Sequence, residues 1–140
     1  MPRYLLDTVT VSELRRREEK MHPGVRKWQA DIGDVWLSVI TLNEIRYSMK
    51  KVERKDPVFA ALLAAWYATI IAQPRRFRIL DVNRAIAEQA AGIRAAHGTS
   101  FGDSLIAATA RVHHLTLATR NTADFSGTGV SLVNPWRLSE

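Results

Sequence analysis

Four acidic residues stand where an apolar stretch of the sequence ends or a helical pattern begins: Asp7, Glu44, Asp103 and Asp124. The position of Asp7 is the most demanding, because it directly follows the apolar run Tyr4-Leu5-Leu6 and a carboxylate there loses hydration. If the four carboxylates meet, they repel one another unless they are protonated or neutralised by cations. Oxygen ligands of this kind suit Mg²⁺ or Mn²⁺, and one or two such ions can activate a water for phosphodiester hydrolysis.

Three of these acids also have a simpler structural interpretation. Asp103 is placed to cap a helix or to stand in its first turn, where the helix dipole favours a negative charge. Asp124 can order a turn, and Glu44 can be an exposed acid on a helix. Taken singly, these positions leave both interpretations open, whereas Asp7 fits a purely structural role least.

Other common chemistries lack their residues in this chain. It has neither the GxxxxGK[ST] loop of nucleoside triphosphatases nor the GxGxxG turn of dinucleotide-binding proteins. A haloacid-dehalogenase-like phosphatase needs a second Asp two residues after Asp7, and that position is Val9. All four histidines are interpreted as structural or surface residues: His22, His97 and the adjacent pair His113-His114, which point apart on a helix and do not form a zinc pair.

The acids must be positioned by the elements that precede them. We predict strands at 3–6, 35–41, 77–82, 115–119 and 130–134. We predict helices at 12–20, 23–30, 42–55, 57–72, 83–96 and 100–114. The first helix is expected to be capped by Thr8 or Thr10, and the last to start near Asp103. Glu44 then falls in the first turn of the third helix.

Strands that alternate with helices imply right-handed crossovers and a parallel sheet covered on both faces. The predicted fold is therefore α/β, a three-layer α/β/α sandwich with a mostly parallel central sheet, in one domain of residues 1–140. Ligands of such sheets gather outside the carboxyl ends of the strands. All four acids lie at or just after such ends, so they can meet in space although they are distant in sequence.

The composition of the chain excludes several classes of protein and of metal site. The chain has 140 residues, a formal net charge of +6 and no cysteine, which excludes disulfides and thiolate zinc sites. Its longest apolar stretch, FAALLAAWYATIIA, is too short to span a membrane, and we expect a cytoplasmic protein without a membrane partner. Basic clusters such as Arg15-Arg16-Arg17 and Lys50-Lys51 can attract a phosphate backbone, or can be solvated helix faces.

Several motifs, in order along essentially the whole chain, resemble those of the PIN-domain ribonucleases, and more narrowly the VapC/FitB-type toxins of bacterial toxin–antitoxin pairs. They are LLDT-x-x-VSELRR, TLNEIRY, DSLIAATARVHHLTLATRNTADF and the closing VNPW. The long DSLIAATA…TRNTADF segment is the specific one. By this resemblance the metal-binding acids fall on Asp7, Glu44, Asp103 and Asp124. Ser12, Thr119 and Asn121 match polar positions around that site.

The resemblance implies a Mg²⁺- or Mn²⁺-dependent endoribonuclease that acts on tRNA or other structured RNA. It also implies a homodimer and a cognate antitoxin that wraps the toxin and covers its active site. The family's strand order, 3-2-1-4-5, puts Asp7 after the central strand. We expect Arg15, Arg16 and Lys50 to hold the RNA backbone.

The chain departs from the family pattern at one position. Family members usually have Asn where this chain has Val9, and valine can neither donate nor accept a hydrogen bond. If that amide orients Asp7, its loss weakens metal binding or turnover about 10–100-fold. The alternative function is therefore a catalytically weakened module that binds RNA or the antitoxin. The presence of all four acids argues against it.

Overall fold

The structure is a computed structural model that describes residues 2–138. Its five-stranded parallel sheet has the order β3-β2-β1-β4-β5. The strands are β1 (Tyr4–Leu6), β2 (Val35–Ser38), β3 (Phe77–Leu80), β4 (Thr116–Ala118) and β5 (Leu132–Val133). This confirms the predicted α/β sandwich, the strand order and the central position of β1. That residues 1–140 form a single domain stays a prediction.

Six helices cover the sheet: α1 (Thr8–Glu13), α2 (Pro23–Ala30), α3 (Val39–Val52), α4 (Pro57–Ile71), α5 (Arg84–His97) and α6 (Phe101–Val112). Neighbouring residues of β1 point to opposite faces, as the pleat requires. Leu6 belongs to a core that includes Val25, Ile45 and other residues of α1–α4. Leu5 belongs to a second core formed with α5 and α6. The helices therefore form two outer layers, one on each face of the sheet.

The first predicted helix, 12–20, is wrong in both its start and its length. Asp7 is the N-cap rather than Thr8 or Thr10, and α1 ends at Glu13. Residues 15–20 are all exposed, so a longer helix would have no apolar face to bury there. The basic cluster therefore lies in turns.

The second predicted strand, 35–41, is too long. It ends at Ser38, whose hydroxyl oxygen accepts from the Ile40 backbone N–H at 3.0 Å and so caps α3. The β-branched residues 39–41 are helical because this cap outweighs their strand propensity. As a consequence Glu44 lies in the second turn of α3, not in the first.

Helix α3, predicted at 42–55, is shifted by three residues at both ends, and the other boundaries differ from the prediction by at most two residues. Helix α6 begins at Phe101 with Ser100 as its N-cap, so Asp103 is a first-turn acid and not the cap. Asp56 and Asn83 cap α4 and α5, within one residue of the predicted starts of these helices, and Gly98 ends α5 in the left-handed region with φ +66°. No helix within residues 2–138 is both long enough and apolar enough to cross a membrane.

Candidate functional site

The four predicted acids line one cleft at the carboxyl edge of the sheet. The cleft has a volume of ≈ 200 Å³ and is completed by Thr8, Val9, Ile106, Asn121 and Phe125. It lies beside the switch point between β1 and β4, where the chain changes from one face of the sheet to the other. Helices α3 and α6 deliver Glu44 and Asp103 because both helices start at this edge.

Asp7 is the most firmly held of the four acids. It is buried, and its Oδ1 atom accepts from the Thr10 backbone N–H at 2.9 Å and lies 2.7 Å from the Thr10 hydroxyl. That hydroxyl also lies 2.8 Å from the Ala118 carbonyl oxygen, so its one proton is donated to one of two acceptors at a time. The other carboxylate oxygen, Oδ2, has no donor among residues 2–138. Asp7 thus presents one oriented, free oxygen to the cleft.

Glu44 is fixed by a contact across the cleft wall. Its Oε1 atom accepts a hydrogen bond of 2.9 Å from the Thr8 hydroxyl, 36 residues earlier in the chain. Partial burial raises the pKa of Glu44 above 4.5, the Thr8 hydrogen bond opposes the rise, and the nearby carboxylates of Asp103 and Asp7 add to it. The surroundings of Glu44 therefore oppose its negative charge more than water does, and a nearby cation would relieve this effect.

The pKa of Asp103 is raised by the same causes as that of Glu44. It stands in the first turn of α6, and its backbone N–H donates to the Ser100 hydroxyl at 3.3 Å. Burial raises the pKa of Asp103 above 3.8, Ser100 lowers it, and the charges of Asp7 and Asp124 raise it further. The charges of neighbouring acids raise the pKa values of Glu44 and Asp103, so the four carboxylates interact as one electrostatic group.

Asp124 is exposed and sits on a 3₁₀ turn, Thr122–Phe125, that follows β4. The turn is built on polar contacts: the Asp124 N–H donates to the Asn121 carbonyl oxygen at 3.1 Å. The Asn121 N–H donates to the buried Thr119 hydroxyl, also at 3.1 Å. Thr119 and Asn121 thus place Asp124, and Asn121 itself lines the cleft.

Among residues 2–138, no basic side chain lies within 4.0 Å of these four carboxylates. Within the described part of the chain, ion pairs shorter than 4.0 Å involve only Glu13, Glu53, Asp34 and Glu88 as acids. No three Asp, Glu or His side chains among residues 2–138 are close enough together to hold one ion by themselves. The arrangement is therefore not an all-protein cage, but it suits Mg²⁺, which keeps several waters and takes only one or two carboxylates directly.

Five predicted residues are not part of the cleft wall: Ser12, Arg15, Arg16, Lys50 and Thr119, the last of which supports the turn of Asp124 from behind. The guanidinium of Arg15 lies over the Phe59 ring at 5.6 Å. Arg16 pairs with Glu13 at 3.4 Å, and Lys50 pairs with Glu53 at 3.7 Å. These basic side chains have partners of their own outside the cleft.

Two residues at the site were not selected from the sequence, Thr8 and Thr10. Both could have been selected from the sequence, because they carry hydroxyls one and three residues after Asp7. An acid that caps a helix accepts hydrogen bonds from the first turn of that helix. Val9, between them, lines the cleft and is 45% exposed. An asparagine at this position would face the cleft, whereas the orientation of Asp7 already comes from Thr10.

The model of the PIN domain family matches residues 4–129. Plasmid stability protein StbB of Pseudomonas syringae is 33% identical over 138 residues, covering 94% of this chain and 97% of that protein. Toxin FitB of Neisseria gonorrhoeae is 33% identical over 139 residues, with coverage of 94% and 97%. VapC ribonuclease Y4jK of Sinorhizobium fredii is 30% identical over 138 residues, with coverage of 94% and 96%.

Solved structures agree with these relatives. A chain in the structure of FitAB bound to an IR36 DNA fragment superposes with a TM-score of 0.70 at 30% identity, covering 98% of both chains. A chain of DNA-bound VapBC from Salmonella typhimurium superposes with a TM-score of 0.75 at 22% identity, covering 96% of this chain and 99% of that one. The second likeness shows a common fold.

Proposed function

The chain belongs to the PIN-domain family, and from that premise we propose that it is a divalent-metal-dependent endoribonuclease, the toxin of a toxin–antitoxin pair. One observation carries the proposal: four carboxylates line a single cleft, and no basic side chain within residues 2–138 lies within 4.0 Å of any of them. In a chain with 20 Lys and Arg against 14 Asp and Glu, such a cluster needs a cation from outside.

The donor set fits Mg²⁺ or Mn²⁺, because carboxylate oxygens are the ligands these hard ions prefer. Asp7, Glu44, Asp103 and Asp124 would hold the ion directly or through its waters. A divalent ion bound there supplies the Lewis acidity that phosphodiester hydrolysis needs. Its charge would also return the pKa values of Glu44 and Asp103 toward their ordinary range, since it offsets the repulsion that raises them.

Residues of the chain prepare this cleft before the ion arrives. Thr10 holds one oxygen of Asp7 and leaves the other free, and Thr8 holds one oxygen of Glu44. Thr119 and Asn121 set the turn that carries Asp124. A preorganised set of negative oxygens costs little reorganisation when the phosphate and the ion bind.

The proposed substrate is tRNA or another structured RNA. The net charge of +6 favours a phosphate backbone as partner, and the relative from Sinorhizobium fredii is named a ribonuclease. Sequence choice would come from unpaired loop bases and from the shape of the RNA, as is usual in RNA recognition. The enzyme would act in the cytoplasm, where such RNA is found.

The proposed protein partners are a cognate antitoxin and a second copy of the chain. Structures similar to this one contain FitAB and VapBC complexes, which supports an antitoxin. An antitoxin that inserted a lysine or arginine into the carboxylate cleft would provide the missing positive charge and exclude the metal ion. Exposed apolar side chains on α4, such as Val58 and Leu62, offer a surface for its apolar residues.

The proposal is tested with purified tRNA, in the presence of Mg²⁺, in the presence of EDTA, and with the variant Asp7→Asn. Asp81→Asn is the matched control, because Asp81 also directly follows a strand, β3, but is exposed and outside the cleft. We expect cleavage by the native protein and the control with Mg²⁺ only, and a loss of at least about 100-fold for Asp7→Asn. Equal cutting under all conditions would refute the mechanism.

Calorimetric titration with Mn²⁺ separates the enzyme from a weakened binding module. Saturable binding to the native protein that is lost in Asp7→Asn supports the enzyme. Absence of binding would favour the module, with Val9 as the mark of a degenerate site. Thermal melts of both variants, compared with the native protein, verify that the substitutions leave the fold intact.

A further inference from the structure

A second concave site lies away from the acids, between the ends of α5 and α6 and the loop 126–130. Its volume is ≈ 450 Å³, and its wall includes His97, Arg111 and the glycine-flanked Thr128. No acidic residue contributes to this wall within the described chain. A pocket with an arginine, a histidine and no carboxylate is complementary to an anion.

Arg111 is the residue of this pocket best suited to bind an anion. Its guanidinium has no Asp or Glu within 4.0 Å among residues 2–138. One of its N–H groups donates to the Thr128 carbonyl oxygen at 3.3 Å, which orients the side chain. An arginine has five N–H donors, so several remain for a ligand. Planar guanidinium groups are well suited to the paired oxygens of a phosphate.

The loop opposite Arg111 adds backbone donors. Gly127 and Gly129 have φ values of +81° and +79°, on either side of Thr128, whose own φ is not positive. Backbone N–H groups in turns of this kind can bind an anion when they have no acceptor within the protein. The Thr128 N–H donates to the Phe125 carbonyl oxygen, whereas those of Gly127 and Gly129 have no acceptor within the described residues. Two free amides thus accompany the guanidinium.

The histidine stands against the same loop. A Cβ atom added at Gly127 would lie 3.4 Å from His97 Cε1, so the imidazole ring covers this residue closely. His97 is exposed and ends α5, one residue before the left-handed Gly98. Its ring can donate an N–H to an anion held by Arg111 and the loop.

This pocket is connected to the acid cleft by two continuous segments. Helix α6 carries Asp103 in its first turn and Arg111 in its last, eight residues or about 12 Å along the axis. The 3₁₀ turn Thr122–Phe125 places Asp124 at the cleft, and the loop that follows this turn places Thr128 at the pocket. A strand of RNA whose scissile bond lies in the cleft can therefore reach the pocket with a phosphate a short distance along its backbone.

We propose that Arg111, His97 and the Gly127–Gly129 loop form a phosphate-binding subsite for the substrate RNA, outside the cleavage cleft. This inference rests on the proposed ribonuclease function. The residues act in binding and not in the chemical step, since they lie away from the carboxylates.

The test measures binding of a fluorescent single-stranded RNA to the full chain in EDTA, over a range of KCl concentrations. We expect Arg111→Gln to weaken binding about tenfold and to reduce the slope of log K against log salt by about 0.7, the loss of one phosphate contact. Arg84→Gln is the control, because it removes the same charge from an exposed arginine that is paired with Glu88. It should leave both quantities unchanged.

A second variant distinguishes phosphate binding from support of the loop. Arg111→Lys keeps the charge, so it should retain the native salt slope while losing part of the affinity. Unchanged binding by Arg111→Gln would overturn the subsite. So would an equal loss in both variants together with a lowered melting temperature, since that is the result of a collapsed loop.

Cleavage kinetics keep this inference separate from the proposed function. With Mg²⁺, Arg111→Gln should raise KM and leave kcat near the native value, as expected for a contact made equally in ground and transition states. If the native protein does not cleave RNA but Arg111→Gln still lowers the salt slope, the proposed function fails and the subsite stands. If cleavage is normal and the slope does not change, the subsite alone fails.

Discussion

Charged side chains have different partners at the two edges of the sheet. At the amino edge, Arg78 pairs with Asp34 at 3.1 Å, and the guanidinium groups of Arg3 and Arg78 lie 5.7 and 5.6 Å from the Trp36 ring centroid. At the carboxyl edge, the carboxylates of Asp7 and Glu44 accept from hydroxyl and amide donors, and none of the four carboxylates has a basic partner among residues 2–138. Within residues 2–138, Asp34 is therefore paired with a basic side chain at the amino edge, whereas the four acids in the cleft at the carboxyl edge are unpaired.

An acidic residue that directly follows a strand is not sufficient to form the site. Asp7 and Asp81 both directly follow a strand. Asp7 follows the central β1 and is buried in the cleft, whereas Asp81 follows the outermost β3 and is exposed. With neighbouring strands about 4.8 Å apart, β3 lies about 10 Å from β1, too far for a shared ion. The position of a strand within the sheet therefore determines whether the acid after it lies in the cleft.

The strongest test of the carboxyl edge, after the loss of Asp7 itself, is Thr10→Val. Valine has nearly the shape of threonine but removes the buried hydroxyl that serves Asp7 and the Ala118 carbonyl oxygen. We expect a loss of about 1–2 kcal/mol in the free energy of unfolding and a fall of about tenfold in cleavage. Urea unfolding and RNA cleavage measure these effects. Thr10→Ser, which keeps the hydroxyl, should be much closer to native; if it is not, the hydroxyl is not the cause.

A smaller effect is expected from pH. Burial, followed by neighbouring carboxylates, raises the pKa of Glu44 above 4.5 and that of Asp103 above 3.8. The folded chain holds these protons to higher pH than the unfolded chain, so their contribution to stability is lost as the pH rises from the ordinary values through the raised ones. Without metal, the melting temperature should therefore decline over this window, and Mg²⁺ should oppose the decline.

The variant Glu44→Gln isolates this contribution, because glutamine has no charge to repel Asp7 and Asp103 and can still accept from Thr8. In EDTA, its melting temperature should decline less than that of the native protein between pH 4.5 and neutrality. Glu88→Gln, which changes an exposed acid paired with Arg84, should follow the native curve. Parallel curves for native protein and Glu44→Gln would contradict the assigned repulsion.

The smallest effect belongs to the amino edge. Arg78→Gln breaks the pair with Asp34, but both side chains are about half exposed, so the expected cost is about 0–1 kcal/mol. Cleavage should be unchanged, because the pair lies at the edge opposite the cleft. A reduction in cleavage greater than that of Thr10→Val would show that the division of roles between the two edges is wrong. The same two assays provide the comparison.

Much of this arrangement could be predicted from the sequence. Alternating strand and helix patterns indicated a parallel sheet, and the residues after its strands included the acids of the cleft. Local signals also placed several helix ends to within one residue, as for both ends of α4 and α5. These features depend on residues a few positions apart, so the sequence carries them directly.

Only the tertiary structure decided what those acids contact. The bond from Thr8 to Glu44 joins residues 36 apart, and the contact of Thr10 with Ala118 joins residues 108 apart. The absence of a basic side chain beside these carboxylates within residues 2–138, and the contact of Arg15 with the Phe59 ring, depend on packing across the fold. Pattern and propensity report on neighbours in the chain, whereas the fields and hydrogen bonds of a site arise between elements that only folding brings together.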